Sequence, residues 1–166
     1  MSRNFRTKIF TSVICLLLIF SFSVASASSS EWIPLLPDTI NNLEKKGEPE
    51  TVDVEKMGKT LTVVKQDYGN QNIHLNIFNG SLIPHLQKFE DMTKLTMENE
   101  KKIIKQTKVS GYKAGCEIYK NKNHGSLLIK LSDTRVVVIQ SEKVKNADEL
   151  MSLADDVPIS EIANRD

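Results

Sequence analysis

Between residues 50 and 140 the apolar positions recur mostly at every second residue, the spacing of a strand with one buried face. Val52 and Val54 alternate with acids, and Met57-Gly58-Lys59 reads as a turn. Leu61, Val63 and Lys65 lead to Tyr68, Gly69-Asn70 gives a second turn, and Ile73, Leu75 and Ile77 alternate with His74, Asn76 and Phe78. The stretch from Glu50 to Phe78 is thus a predicted three-stranded meander. Four more predicted strands follow at Ile103 to Val109, Tyr112 to Tyr119, Ser126 to Leu131 and Arg135 to Gln140. They are separated by turn residues at Ser110-Gly111, Asn121 to Gly125 and Ser132-Asp133-Thr134. Val136 to Ile139 is apolar on both faces, which marks a central strand covered on both sides.

Three segments break this period. Trp32, Ile33, Leu35, Leu36, Ile40 and Leu43 form an apolar cluster punctuated by Pro34 and Pro37. Asp38 caps a predicted helical turn that runs to Lys46 and stops at Gly47. Trp32 is expected to be buried against the main body rather than offered to a carbohydrate or lipid. Asn79-Gly80-Ser81 reads as a turn with Ser81 as N-cap, and Leu82, Leu86, Phe89, Met92 or Thr93, and Thr96 share a helical face. Pro84 falls in the first turn, so a long helix is predicted to about Glu100. Near the end, Asn146 and Glu149 form a capping box ahead of Leu150, Met151, Leu153 and Ala154. Pro158 then separates a last turn at Ile159 to Ala163.

Strands joined by short turns pair antiparallel, and helices at the ends of such runs stack on the sheet. The expected fold is α+β: a single domain with a curved antiparallel sheet of about seven strands, one long central helix and a C-terminal helix packed on it.

The first residues change the picture of where this domain works. Arg3, Arg6 and Lys8 precede a run that is apolar from Ile9 to Val24, and Ala25-Ser26-Ala27 supplies small residues at alternate positions. This is the layout of a secretory signal peptide spanning residues 1–27, cut after Ala27. Thr11, Ser12, Ser21 and Ser23 dilute the run below what a stable membrane span calls for. Cys15 follows Ile14 and precedes Leu16-Leu17-Leu18, which does not fit lipoprotein processing. Residues 28–31 form a lead-in, and residues 32–166 the domain. The expected location is periplasmic or extracellular.

The leader contains three of the 22 basic residues and none of the 21 acidic ones, so the mature part holds 19 against 21. Its Lys-rich spots sit beside acids, and no basic face for nucleic acid is apparent. Only Cys116 remains after cleavage, so no internal disulfide can form. Cys116 shares one strand face with Tyr112, Ala114 and Ile118 and is expected to be a buried, inert thiol.

Motifs for chemistry are absent: there is no nucleotide loop, nucleophile elbow, paired-cysteine zinc site or His-Glu-x-x-His helix. His74, His85 and His124 are the only imidazoles, at no spacing that suggests a metal site. Cys116, His124 and Asp133 can be written as a nucleophilic set, but no local signal supports it. Asn79-Gly80-Ser81 is an acceptor for N-glycosylation if the host glycosylates exported chains.

Leu35-Leu36-Pro37-Asp38-Thr39-Ile40, Val109-Ser110-Gly111-Tyr112-Lys113-Ala114, Gly125-Ser126-Leu127 and Arg135-Val136-Val137-Val138 resemble small exported bacterial domains of unknown function. More loosely, the order of elements is similar to the PsbP-like α/β sandwich. That resemblance implies an accessory or binding role and passes no catalytic residue to this chain. The expected function is therefore an exported, non-catalytic binding or accessory domain without cofactor or metal, serving an envelope protein or a small apolar ligand. An enzyme of unfamiliar class with a site at the hairpin loops, and an envelope protein that self-associates through a strand edge, are the alternatives.

Overall fold

The computed structural model describes residues 31–70, 72–94 and 96–165. The leader, its cleavage site at Ala27, Cys15 and residues 28–30 of the lead-in lie outside the described residues. The described chain is dominated by one nine-stranded antiparallel sheet, in the order β1-β2-β3-β4-β9-β8-β7-β6-β5. In chain order the strands are β1 (Thr39–Ile40), β2 (Leu43–Lys56), β3 (Lys59–Tyr68), β4 (Ile73–Gly80), β5 (Met97–Glu98), β6 (Lys102–Val109), β7 (Tyr112–Tyr119), β8 (His124–Lys130) and β9 (Arg135–Ser141). Three short helices accompany them: α1 (Pro84–Lys94), α2 (Ala147–Ser152) and α3 (Ile159–Ala163). Strands lie at all seven predicted segments. The fold class is nevertheless corrected, because the chain is a β-rich single domain without a long central helix.

The corrections have local causes. Residues 38–46 are a hairpin, not a helical turn: Asn41 and Asn42 take φ of 52° and 60°, the left-handed pair that a two-residue hairpin turn requires, and Ile40 pairs with Leu43. A 3-10 turn at Ile33–Leu35 precedes it. The long helix is cut at both ends. At its start, Ser81 and Leu82 both donate backbone N–H to Thr60 O, so the chain is still held at the strand end and the helix begins only at Pro84. At its far end, the Asn99 side chain accepts from the backbone N–H of Lys101 and Lys102 at 2.9 and 2.8 Å. This side-chain turn outcompetes helical hydrogen bonding and folds Met97–Glu98 back onto β6 as β5. Ser81 is not an N-cap. Nor is Asn79-Gly80 a turn; both pair with β3 as the last residues of β4.

The sheet separates two cores. On one face lie Val64, Tyr68, Leu75, Ile77, Ala114, Cys116, Ile118, Leu127, Ile129, Val137 and Ile139, covered by Trp32, Leu36, α2 and α3. Tyr68 helps fix the N-terminal segment there, its hydroxyl donating to Pro37 O at 2.8 Å. On the other face α1 packs over β6, β7 and β8, placing Phe89 and Met92 against Ile104, Leu128, Val136 and Val138. The C-terminal capping box forms: Asn146 Oδ1 accepts from Glu149 N–H at 2.9 Å, and Glu149 Oε2 accepts from Lys145 N–H at 3.0 Å.

Coverage of the α1 face is incomplete for a simple reason of size. Eleven residues of helix reach about 16 Å, whereas nine strands spaced about 4.8 Å apart span about 38 Å. The helix sits over the β6–β8 half. The β2–β4 half is left open.

Gly80 is the position where backbone geometry is least forgiving. Its φ is 141°, and a Cβ there would stand 2.2 Å from Thr60 O. Gly80→Ala is expected to lower stability by about 3 kcal/mol, through left-handed strain plus that clash. Gly111→Ala, at φ 85° with open space around it, is expected to cost about 1 kcal/mol. Urea unfolding of both variants checks the difference.

Candidate functional site

The open half of the α1 face is polar because of how the strands register. Cross-strand partners place Ile104, Glu117, Ser126, Gln140, His74, Asp67 and Lys46 in one row across seven strands. Period two then puts Asn76, Lys65 and Glu50 in the next row on the same face. Where α1 ends, these side chains line a cleft of about 610 Å³, formed by Lys46, Gly47, Glu48, Glu50, Lys65, Asp67, His74, Asn76 and Gln140.

A bulge in β2 builds one wall of this cleft. The register shifts between Lys46 and Glu50, with Gly47 at φ 70° and Pro49 on the strand's outer part. Proline is tolerated there because an edge strand need not donate its N–H. Gln66, buried on the opposite face, fixes the bulge from below. Its Nε2 donates to the carbonyls of Lys46 (3.3 Å), Gly47 (3.4 Å) and Asp67 (2.9 Å).

At the floor, His74 Nδ1 lies 2.7 Å from Asp67 Oδ1, and both side chains are about one-third exposed. The carboxylate fixes the ring: with a neutral imidazole, Nδ1–H donates to Asp67 and Nε2 is left as an acceptor for a ligand. Next along the row, Gln140 Nε2 donates to Ser126 Oγ at 3.4 Å. The cleft therefore offers cations, anions, amides and an oriented imidazole within one concavity.

The same row continues beneath α1 as a buried ion cluster. Glu117, only 4% exposed, meets Lys102 through Oε1 and Lys88 of α1 through Oε2 at 2.6 Å. Tyr119 donates its hydroxyl to Oε1 at 3.0 Å. Burial acts to raise the Glu117 pKa, but the bonds from Lys102 and Lys88 outweigh it and hold the carboxyl below its ordinary value. The bond to Glu117 in turn raises the Lys102 pKa against the effect of desolvation. Lys102 also lies 5.0 Å over the Tyr119 ring. This cluster latches α1 to the sheet; its charges are already satisfied, and it is no reactive centre.

The residues singled out in the sequence do not assemble into a second site. Cys116 is fully buried on the other face, where desolvation pushes its thiol pKa up. His124 opens β8 near Tyr119, with ring centroids 6.5 Å apart. Asp133 lies beyond the far end of β8, nearly fully exposed and 2.7 Å from Lys130. The hydrogen bond from Lys130 holds its carboxyl below the usual range. β8 runs from His124 to Lys130, about 20 Å, so His124 and Asp133 lie towards opposite ends of it, and Cys116 points to the opposite face; the trio cannot act together. His85 belongs to the first turn of α1, and its side chain lies outside the described residues. Among the described residues no group of three His, Cys, Asp or Glu side chains is arranged to hold a metal. Asn79 accepts from Arg135 Nε at 3.3 Å within β4, a strand setting rather than the exposed turn a glycosylation acceptor favours.

His74 and Asn76 stand on the polar side of an alternating strand, so the sequence does place them on one face. The bulge and the arrival of Gln140 beside His74 depend on strand order, which local pattern does not encode.

Comparison of the chain with protein families, with curated proteins and with solved structures found no match. No helix among the described residues is long and apolar enough to cross a membrane.

The Glu117 latch has a definite pH signature. A carboxyl whose folded pKa is depressed contributes stability above its unfolded pKa, near 4.3, and loses that contribution as pH falls through the folded value. Glu117→Gln is expected to cost about 1–3 kcal/mol at pH 7, less than a fully buried pair because Lys88 and Lys102 can reach solvent. The gap between wild type and variant is expected to narrow below about pH 4. Urea unfolding of both proteins between pH 7 and pH 3 measures it.

Proposed function

We propose that this chain is an exported, non-catalytic binding module whose ligand occupies the cleft on the uncovered half of the sheet. Export rests on the charged start, apolar run and Ala25-Ser26-Ala27 site of the leader. Binding rests on one observation: a concavity of about 610 Å³ that sets Lys46 and Lys65, Glu48, Glu50 and Asp67, and the His74, Asn76 and Gln140 side chains around one space. That volume falls in the ordinary range for small-ligand sites.

The lining chooses the ligand class. Charges of both signs with amide partners complement a zwitterion of amino-acid or short-peptide type. Among the described residues no Trp, Tyr or Phe ring lines the cleft to stack on a sugar, and its polar walls favour such a ligand over a small apolar one. Self-association through the edge of β2 has one feature in its favour, since Val52 and Val54 are about 40% exposed and Met57 94%. Against it, the same edge bears Glu48, Glu50, Asp53, Glu55 and a proline-containing bulge, devices that discourage edge pairing.

The test is a nuclear magnetic resonance titration of the protein with amino acids, di- and tripeptides, neutral oligosaccharides and a fatty acid. Saturable shifts at His74, Asn76 and Gln140 with peptides or amino acids are expected. His74→Ala and Gln140→Ala, both still folded, are expected to weaken binding at least tenfold, roughly 1.4 kcal/mol each. Tighter binding of the fatty acid or oligosaccharide, shifts located away from the cleft, or no binding across the panel would overturn the proposal.

A further inference from the structure

The α1 face holds a second concavity, beside the helix over β6, β7 and β8. Lys108 pairs directly with Lys113, and Lys113 with Lys130, so three lysines stand in one cross-strand row over β6, β7 and β8. They line a hollow of about 410 Å³ together with Phe89, Glu90, Gln106 and Thr107. Directly opposed side chains in a sheet have Cβ atoms about 5 Å apart, and like charges so placed destabilise the pairing. Here that penalty occurs twice in succession.

Edge protection does not account for the row. Lysines on an exposed edge keep sheets from aggregating, and Lys108 on the open part of β6 fits that use. Lys113 and Lys130, however, lie on the interior strands β7 and β8, where both edges are paired. Neutralisation is also incomplete. Lys130 has Asp133 at 2.7 Å, but that carboxylate is almost wholly exposed, on a turn. Lys108 and Lys113 make no ion pair among the described residues, and Glu90, which has an interaction of its own, is the one carboxylate lining the hollow.

We propose that Lys108, Lys113 and Lys130 form a binding site for a compact tetrahedral oxyanion, a phosphate- or sulfate-bearing group. Three ammoniums within about 10 Å surround such an ion from several directions. Ammonium groups are compact charges with rotatable donors, suited to a tetrahedral anion, while a planar carboxylate is better matched by the arginine fork. Among the described residues no arginine lines this hollow. Its volume suits one small group rather than a polymer. The site is independent of the cleft at His74.

The experiment titrates the protein with inorganic phosphate, pyrophosphate and sulfate at ionic strength held constant with sodium chloride, following thermal unfolding and backbone resonances. Saturable shifts confined to Lys108, Lys113, Lys130 and their neighbours are expected, with pyrophosphate at least tenfold tighter than phosphate. The phosphate and sulfate arms separate the two sources of the anion. Lys113→Gln is expected to weaken binding at least tenfold and yet to raise the Tm of the anion-free protein by about 1–3 °C, because it removes both like-charge oppositions. Lys130→Gln is expected to weaken binding in the same direction and serves if Lys113→Gln fails to fold. His74→Ala is expected to bind pyrophosphate normally. Equal effects from chloride, unchanged affinity in the lysine variants, or a lowered Tm in folded Lys113→Gln would overturn the proposal.

Discussion

Among the described residues, the pairing of β4 with β9, from Ile73 opposite Ser141 to Asn79 opposite Arg135, is the one seam between the two halves of the sheet. Residues 39–80 form one antiparallel run and residues 97–141 another. The chain crosses between them once, through α1, to the far edge, then works back strand by strand until β9 closes against β4. This explains why Val136 to Ile139 is apolar on both faces. Val136 and Val138 meet the α1 core, and Val137 and Ile139 the opposite one. A one-residue slip of β9 would exchange the two sets. Arg135 secures the end of the seam. Its guanidinium lies 5.1 Å over the Trp32 ring and donates to the carbonyls of Ile162, Ala163 and Arg165, while Nε reaches Asn79. One side chain thus ties the N-terminal segment, β4 and the C-terminal turn to the strand that joins the halves.

The two faces of this sheet have different fates. On the Trp32 side, the first segment, α2 and α3 together seal the core from β3 to β7. On the other side the cover among the described residues is a single short helix, latched by Lys88 to Glu117 at one end of a polar row. What lies beyond its reach is exposed to solvent with the side chains that strand register delivers, the mixed-charge cleft around His74; beside the helix itself stands the lysine row. The cleft around His74 follows from the mismatch between helix length and sheet width, while the lysine row lies on the strands that α1 covers, beside Phe89 and Glu90. The buried face supplies the stability that lets the open face remain polar.

Much of the strand content was legible because period two is a local signal, and Ser110-Gly111 and the Asn146–Glu149 box are local too. Errors arose where a short polar side chain redirected the backbone. Asn41-Asn42 closed a hairpin inside what looked like a helical turn, and Asn99 ended a helical pattern that hydrophobic spacing alone would have carried further. Asn79-Gly80 misled in the other direction, since its pairing with Thr62 and Leu61 holds a turn-forming dipeptide in a strand. The sites were least legible. His74 and Asp67 are seven residues apart, yet Gln140 reaches them only through β4–β9 pairing, and Lys108, Lys113 and Lys130 align only through two hairpin registers. Glu117 is one polar residue in an alternating strand, and nothing local in the sequence announces that Lys88 and Lys102 meet it in a buried cluster.

Native-state hydrogen exchange under increasing denaturant tests most directly whether the β4–β9 seam unites the molecule. If it does, the amides of Leu75, Ile77, Val137 and Ile139 exchange most slowly. Interior amides of β3 and of β7 and β8 then converge with them on one opening free energy, equal to that of global unfolding. If residues 59–80 open at a distinctly lower free energy while residues 102–141 stay protected, the halves are separable and the seam is not the constraint on which the fold rests.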